Sequence, residues 1–136
     1  MLSKIAIKTE PGMSLINITK EVEQILQDSG VEEGVCVLNV PHTTAGLTIN
    51  SVMDSATHQD IINDINRLVP ARDDFEHTFD TPSDAAGHIK STLVATTLSI
   101  IITEGRLLLG HSQGILFCEF DGARPRDIFV RVMKEK

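Results

Sequence analysis

The stretch GVCVLNVPHTTAGLTIN, Gly34 to Asn50, decides how this chain folds. Its left part, GVCVLNV, and its right part, GLTI at Gly46 to Ile49, are aliphatic runs with the look of strands. Between them Pro41, His42, Thr43, Thr44 and Gly46 interrupt what could be one long buried strand. Two readings compete. Either the break is a turn with polar side chains facing water, or it is the lip of a site where His42 does chemistry.

Upstream, Leu2, Ile5 and Ile7 alternate loosely in a strand that ends at Glu10-Pro11-Gly12. Ile18, Val22, Ile25 and Leu26 then recur at helical spacing, with Asn17 or Thr19 as cap and Ser29-Gly30 as stop. Downstream, a second helix is predicted from about Ser55 to Leu68. Asp54 caps it, Ile61, Ile65 and Leu68 form its buried stripe, and Pro70 ends it. His58, in its first turn, reads as a surface or boundary residue. Ala71 to Ala86 is a polar excursion of the length that often carries function. His88 to Val94 follows as a short helix entered through Gly87.

The last third is strand-rich: Thr97 to Thr103, a hairpin turn at Glu104-Gly105, Arg106 to Leu109, Gly114 to Phe120 and Ile128 to Met133. Asp121-Gly122 and Pro125 separate the final two. With no repeat, low-complexity tract or linker, residues 1–136 read as one α+β domain dominated by antiparallel strands.

Hydrophobic residues make up 41% of the chain, without Trp or Tyr and with five Phe, so any core must be aliphatic. The net charge of −7 argues against a general nucleic-acid binder, which needs a basic face to release counterions. A local cationic cluster could still take an anionic substrate. Cys36 and Cys118 lie far apart inside apolar runs, outside any CxxC spacing, and read as small buried hydrophobes. MLSKIAIKTE lacks the apolar core of a signal peptide and no run approaches a membrane span, so a reduced, cytoplasmic setting is expected.

His42, His77, His88 and His111 all fall in loops or at element ends, where scaffolds present functional groups. Three converging imidazoles would suit Zn²⁺ or a similar divalent ion with positions open for water or substrate. Their spacing matches no local ligand motif, and solvated loop histidines are the competing reading. Lys90 in HIKST, aided by Ser91 and Thr92, could bind phosphate or carboxylate, or be a solvated lysine. GHSQG, Gly110 to Gly114, has the spacing of a nucleophile elbow, but such an elbow leads from strand to helix and GILFCEF reads as a strand. Glu119, Asp121 and Arg124 in CEFDGAR are either site groups or a charged turn.

Taken together, PHTTAGLTIN, GHIKS, GRLLLG and SQGILFCEFDGAR resemble the YjbQ-like family, also called the secondary thiamine-phosphate synthase family. The resemblance runs in order along nearly the whole chain. It implies a compact, β-sandwich-like α+β domain with two main helices and one short one, assembled as a homotrimer. It also implies that His42, His77 and His88, in PHTTAG, EHTFD and GHIK, share one site and hold a divalent metal such as zinc. His42, His88 and Lys90 are then the catalytic candidates, and Thr43, Thr44, Asn50 and Gln113 the ligand-binding ones. The sequence departs from the family pattern where INSV replaces INEN, placing Ser51 at an acidic position, and where Gly110-His111-Ser112-Gln113 replaces Gly-Thr-Trp-Gln.

The activity implied is transfer on phosphorylated small molecules, joining a pyrimidine pyrophosphate to a thiazole phosphate. Charge on the leaving pyrophosphate would be neutralised by the ion, Lys90 and nearby donors. A non-catalytic trimeric metal- or small-ligand-binding protein and a metal-dependent hydrolase are the alternatives.

Overall fold

Strand β1 (Leu2–Lys8) turns Ile5 inward and leaves Lys4 and Ala6 in solvent, the two-residue period of a strand with one wet face. The computed structural model describes residues 1–136, and this alternation recurs along it. The order continues with β2 (Gly12–Asn17), α1 (Thr19–Ser29), β3 (Gly34–Asn39), β4 (Ala45–Ser51), α2 (Ser55–Leu68) and α3 (Pro82–Leu93). Strands β5 (Thr97–Thr103), β6 (Arg106–Leu107), β7 (Gln113–Gly122) and β8 (Pro125–Lys134) complete it. A five-stranded sheet, β1-β8-β3-β5-β6, faces a three-stranded one, β2-β7-β4, and every ladder is antiparallel. The fold is α+β with a β-sandwich at its centre. No helix is long and apolar enough to cross a membrane.

The opening stretch straddles the two sheets: β3 belongs to the larger and β4 to the smaller. Its break is therefore a crossing from one layer to the other. Cys36, Leu38, Ile100, Ile102, Ile128 and Val130 of the larger sheet meet Leu47, Ile115 and Phe117 of the smaller, with Val22 and Leu26 of α1 in the same core. Strand β7 is buried on both faces, because Leu116, Cys118 and Phe120 turn away from that core to the side where α3 packs. Burial pushes the thiols up, Cys36 to about 11 and Cys118 to about 12, so both stay protonated and inert.

Helix α1 begins behind Asn17, whose Oδ1 accepts from the Thr19 amide at 3.0 Å and its hydroxyl at 2.6 Å, and Gly30 ends it in the left-handed region at φ 69°. Asp54 caps α2 by accepting from the Ala56 amide at 2.8 Å. The buried stripe expected on α2 is not formed: Ile61 and Ile65 are half-buried and Leu68 is 75% exposed. The helix lies over β2, an edge strand of the narrow sheet, so its apolar face overhangs.

Other elements also differ from the sequence expectation: β6 stops at Leu107, and β7 and β8 take in Asp121-Gly122 and Pro125, the residues expected to separate them. Strand β2 forms where the sequence suggests no element; its partner β7 lies about a hundred residues away, and GMSLIN has too short an alternation to announce itself. Helix α3 starts at Pro82 rather than His88. The Thr81 hydroxyl accepts from the Asp84 amide at 3.1 Å, and proline at the first position loses no helical hydrogen bond. Gly87 thus lies inside the helix. A Cβ there would stand 3.3 Å from the Thr44 side chain and 3.4 Å from the Phe120 carbonyl oxygen, so its absence lets α3 approach the smaller sheet closely.

Candidate functional site

Four connecting segments gather at one end of the sandwich: 9–11, 40–44 and 123–124 pass between the sheets, and 94–96 leads from α3 into β5. Here the aliphatic interior gives way to a polar one. Arg126 donates through Nε and Nη2 to the two oxygens of Glu119, at 2.8 and 2.6 Å, and Glu119 is fully buried. Burial alone pushes the Glu119 carboxyl up. Hydrogen bonds from Arg126, the Thr9 hydroxyl and the Asp121 amide outweigh it and hold the group below its ordinary range. Arg126 Nη2 also donates to the Thr44 hydroxyl at 2.8 Å and its carbonyl at 3.2 Å. Thr44 is accordingly buried and spent on the frame, not turned to a ligand as expected.

Pinning Thr44 sets the position of His42. Strand β3 ends at Asn39, opposite Phe129, while β8 reaches back to Pro125. Beyond the end of β3, the Asp127 amide donates to His42 Nε2 at 2.9 Å, so the imidazole takes the place of a ladder acceptor. Burial, then the nearby Arg126 charge, lowers the His42 pKa from 6.5, against the opposing pull of Asp127 and Glu119. His42, the exposed Thr43 and His88 line one cleft of about 460 Å³.

Asp84 and His88 stand one turn apart on α3, and His77 reaches them from the preceding loop. Asp84 Oδ2 lies 2.9 Å from His77 Nε2 and 3.3 Å from His88 Nε2, and the two rings meet edge-to-face at 5.1 Å. Ligand atoms of His77, Asp84 and His88 all lie within 4.8 Å of one another; His42 is not in that group. Of the three imidazoles expected together, His77 and His88 share a carboxylate, and His42 shares a cleft with His88 but not with His77. A second carboxylate cluster, Asp80, Asp84 and Asp121, adjoins through Asp84. Arg124 bridges these carboxylates, 2.7 Å from Asp121, 3.4 Å from Asp80 and 3.9 Å from Asp84.

Other expected site residues lie elsewhere. Lys90 follows His88 by two residues, which puts it on the opposite side of α3. It is buried, donates to Asn66 Oδ1 of α2 at 2.6 Å, and burial lowers its pKa. Asn50 sits at the far end of β4, about 17 Å along the strand from Ala45 at the usual rise per residue. Its side chain accepts from the Ser51 amide, and that of Gln113, opposite Ser51, accepts from the Gly110 amide. His111 is exposed at that same end, and His58 Nε2 stands 2.9 Å from the Ser51 carbonyl oxygen. Gly110 to Gly114 runs through a turn into β7, so it is no nucleophile elbow.

Asp84 and Arg126 were not among the expected site residues. Thr81-Pro82-Ser83-Asp84 carries a helix-start signature that would have placed Asp84 and His88 on one face. For Arg126, paired across the sandwich, no local signal exists.

A family model described as UPF0047 protein YjbQ-like matches residues 3–135. A UPF0047 protein of Methanocaldococcus jannaschii is 44% identical over 136 residues, covering 100% of this chain and 96% of its own. YugU of Bacillus subtilis, also a UPF0047 protein, is 39% identical over 135 residues, covering 98% and 99%. Among solved structures, an uncharacterized conserved YjbQ/UPF0047 family protein of Clostridium acetobutylicum superposes with a TM-score of 0.89 at 37% identity, covering 96% of this chain and 99% of that one. A YbjQ-like protein of unknown function from Sulfolobus solfataricus reaches 0.93 at 29% identity, covering 99% and 97%.

Proposed function

We propose, for a chain that belongs to the YjbQ-like UPF0047 family, a site that binds a divalent cation and a phosphorylated small molecule, serving transfer of the thiamine-phosphate-synthase type. The observation that carries this reading is the meeting of His77, Asp84 and His88 within 4.8 Å. Two imidazoles and a carboxylate suit Zn²⁺, and the side chains of His77 and His88 stay 46% and 39% exposed, leaving room for a ligand. Bound there, the ion would supply Lewis-acid neutralisation of phosphoryl oxygens. Arg124 is the neighbouring cation, held toward Asp84 by its bond to Asp121, and offers charge beside the same ligand.

The position of Lys90 favours a second reading, a metal- or ligand-binding protein without catalysis. Turned to Asn66, Lys90 is withdrawn from any leaving group at the histidines. Zinc calorimetry on the purified chain and on Asp84→Asn tests the shared part: binding is expected in the first and loss by about 10-fold or more in the second. Incubating the zinc-loaded chain with a pyrimidine pyrophosphate and a thiazole phosphate separates the two readings. Pyrophosphate release supports transfer; zinc binding without release supports the second.

A homotrimer belongs to the same proposal. Val35, Ile101 and Met133 stand side by side on the outer face of the larger sheet, an apolar row available for a subunit contact. Light scattering that returns a single-chain mass across micromolar concentrations would remove this part.

A further inference from the structure

We propose that the cleft between the His42 loop and α3 is a subsite for an uncharged, hydroxyl- or carbonyl-bearing part of the ligand, recognised by an N–H that the fold fixes on His42 Nδ1. The proposal rests on the reading of the adjoining His77–Asp84–His88 group as the phosphate end.

Hydrogen-bond direction supplies the first half of the argument. An amide N–H can only donate, so His42 Nε2, 2.9 Å from the Asp127 nitrogen, must present a lone pair. In a neutral ring the proton then sits on Nδ1. That atom makes no hydrogen bond within the chain, and the ring lines the cleft, so the donor is free to meet a ligand. His42 is held as a donor by a backbone amide that has no strand to pair with.

The second half is the chemistry of the walls. Thr43, Ser91, Thr92 and Thr96 supply hydroxyls, Val94 is the one aliphatic side chain, and no Lys, Arg, Asp or Glu lines the cleft. Ser91 gives its hydroxyl proton to the Ala45 carbonyl at 2.8 Å and Thr92 gives its proton to the His88 carbonyl at 2.9 Å. Both oxygens are left as acceptors. One fixed donor beside these acceptors suits alcohols and carbonyls, and no charged side chain of Lys or Arg lines the cleft to draw a phosphate away from the His77–Asp84–His88 end. His88 belongs both to this cleft and to the group around Asp84, so a single ligand can span the two.

Long-range proton–nitrogen correlation spectra of ¹⁵N-labelled protein test the idea without any metal. Near neutral pH, His42 is expected to show the proton on Nδ1 alone. D-ribose, as a neutral probe, should shift the His42 nitrogens in a saturable way, and inorganic phosphate should not. Asp84→Asn should keep the ribose response. His42→Gln, which offers both an acceptor for the Asp127 amide and a donor for the cleft, should retain ribose binding, while His42→Leu should weaken it by about tenfold, the worth of one hydrogen bond. A proton on Nε2, a response to phosphate but not ribose, or no response to either overturns the subsite. Failure of zinc calorimetry with an intact ribose response would remove the metal reading and leave the subsite standing.

Discussion

The two ends of the sandwich are built on different principles. At one end α1 closes the core with Val22 and Leu26, the Glu104-Gly105 hairpin turns back at the edge, and the interior is hydrocarbon. At the other, three crossings between the sheets and the connection from α3 to β5 meet, and the interior holds Thr9, Thr44, Glu119, Asp121 and Arg126. Each end has a cleft, of about 490 and 460 Å³, so concavity does not distinguish them. What differs is the interior: buried charge at one end and hydrocarbon at the other. Where strands leave their ladders to change sheets, amides and carbonyls lose their partners and side chains must replace them. Arg126 serves the Thr44 carbonyl, His42 the Asp127 amide, and the Thr9 hydroxyl the Arg124 amide. The rigid polar groups a ligand site needs are by-products of satisfying those crossings.

If the crossing end is a connected polar frame, breaking its central pair should be the most damaging change. Arg126→Met leaves the buried Glu119 unpaired and should lower stability in urea by up to about 5 kcal/mol, while Arg126→Met with Glu119→Leu should recover most of it. A loss under about 1 kcal/mol for the single variant would dissolve the distinction between the ends. At the hydrocarbon end, Leu26→Ala should cost about 3 kcal/mol through cavity formation yet leave zinc binding and the His42 proton position unchanged.

A smaller effect sharpens the contrast at the α3 contact. Gly87→Ala gains about 1 kcal/mol of helix propensity but presses on a Thr44 side chain held by Arg126 and on the Phe120 backbone. With overpacking typically near 1–3 kcal/mol, net destabilisation of about 1 kcal/mol is expected. A more stable Gly87→Ala protein would mean that the helix is free to shift. The smallest effect is the pH response of His42. Its folded-state pKa lies below 6.5, so as pH falls through 6.5 the unfolded chain takes up the proton first and the native state loses stability. The decline ends once the native imidazole, facing Arg126, Asp127 and Glu119, is protonated too. His42→Gln should flatten that part of the stability profile relative to wild type.

Much of the fold was legible in the residues because its signals are local. Alternation in GVCVLNV, the Asp54 cap, the Pro70 stop and the Glu104-Gly105 turn each depend on a few successive side chains, and each stands where expected. Strand β2 is not legible because the two aliphatic residues in GMSLIN make too short a pattern, and the start of α3 is masked because its polar first turn resembles a loop. His42 and Thr43 stand at the break between β3 and β4, as their position in the sequence suggests, while His88, expected at an element end, lies inside α3. Lys90 misled because two residues along a helix is nearly the opposite face.

By itself, then, the sequence determined the periods, the caps and breaks and the aliphatic core. Only the tertiary structure decided that β3 and β4 belong to different sheets, that Asp84 joins His77 to His88, and that Arg126 answers Glu119. The reason is range. Periodicity is a relation among neighbours in the chain, whereas the partner of a buried charge or an unpaired amide is whichever distant segment the packing of the layers brings beside it.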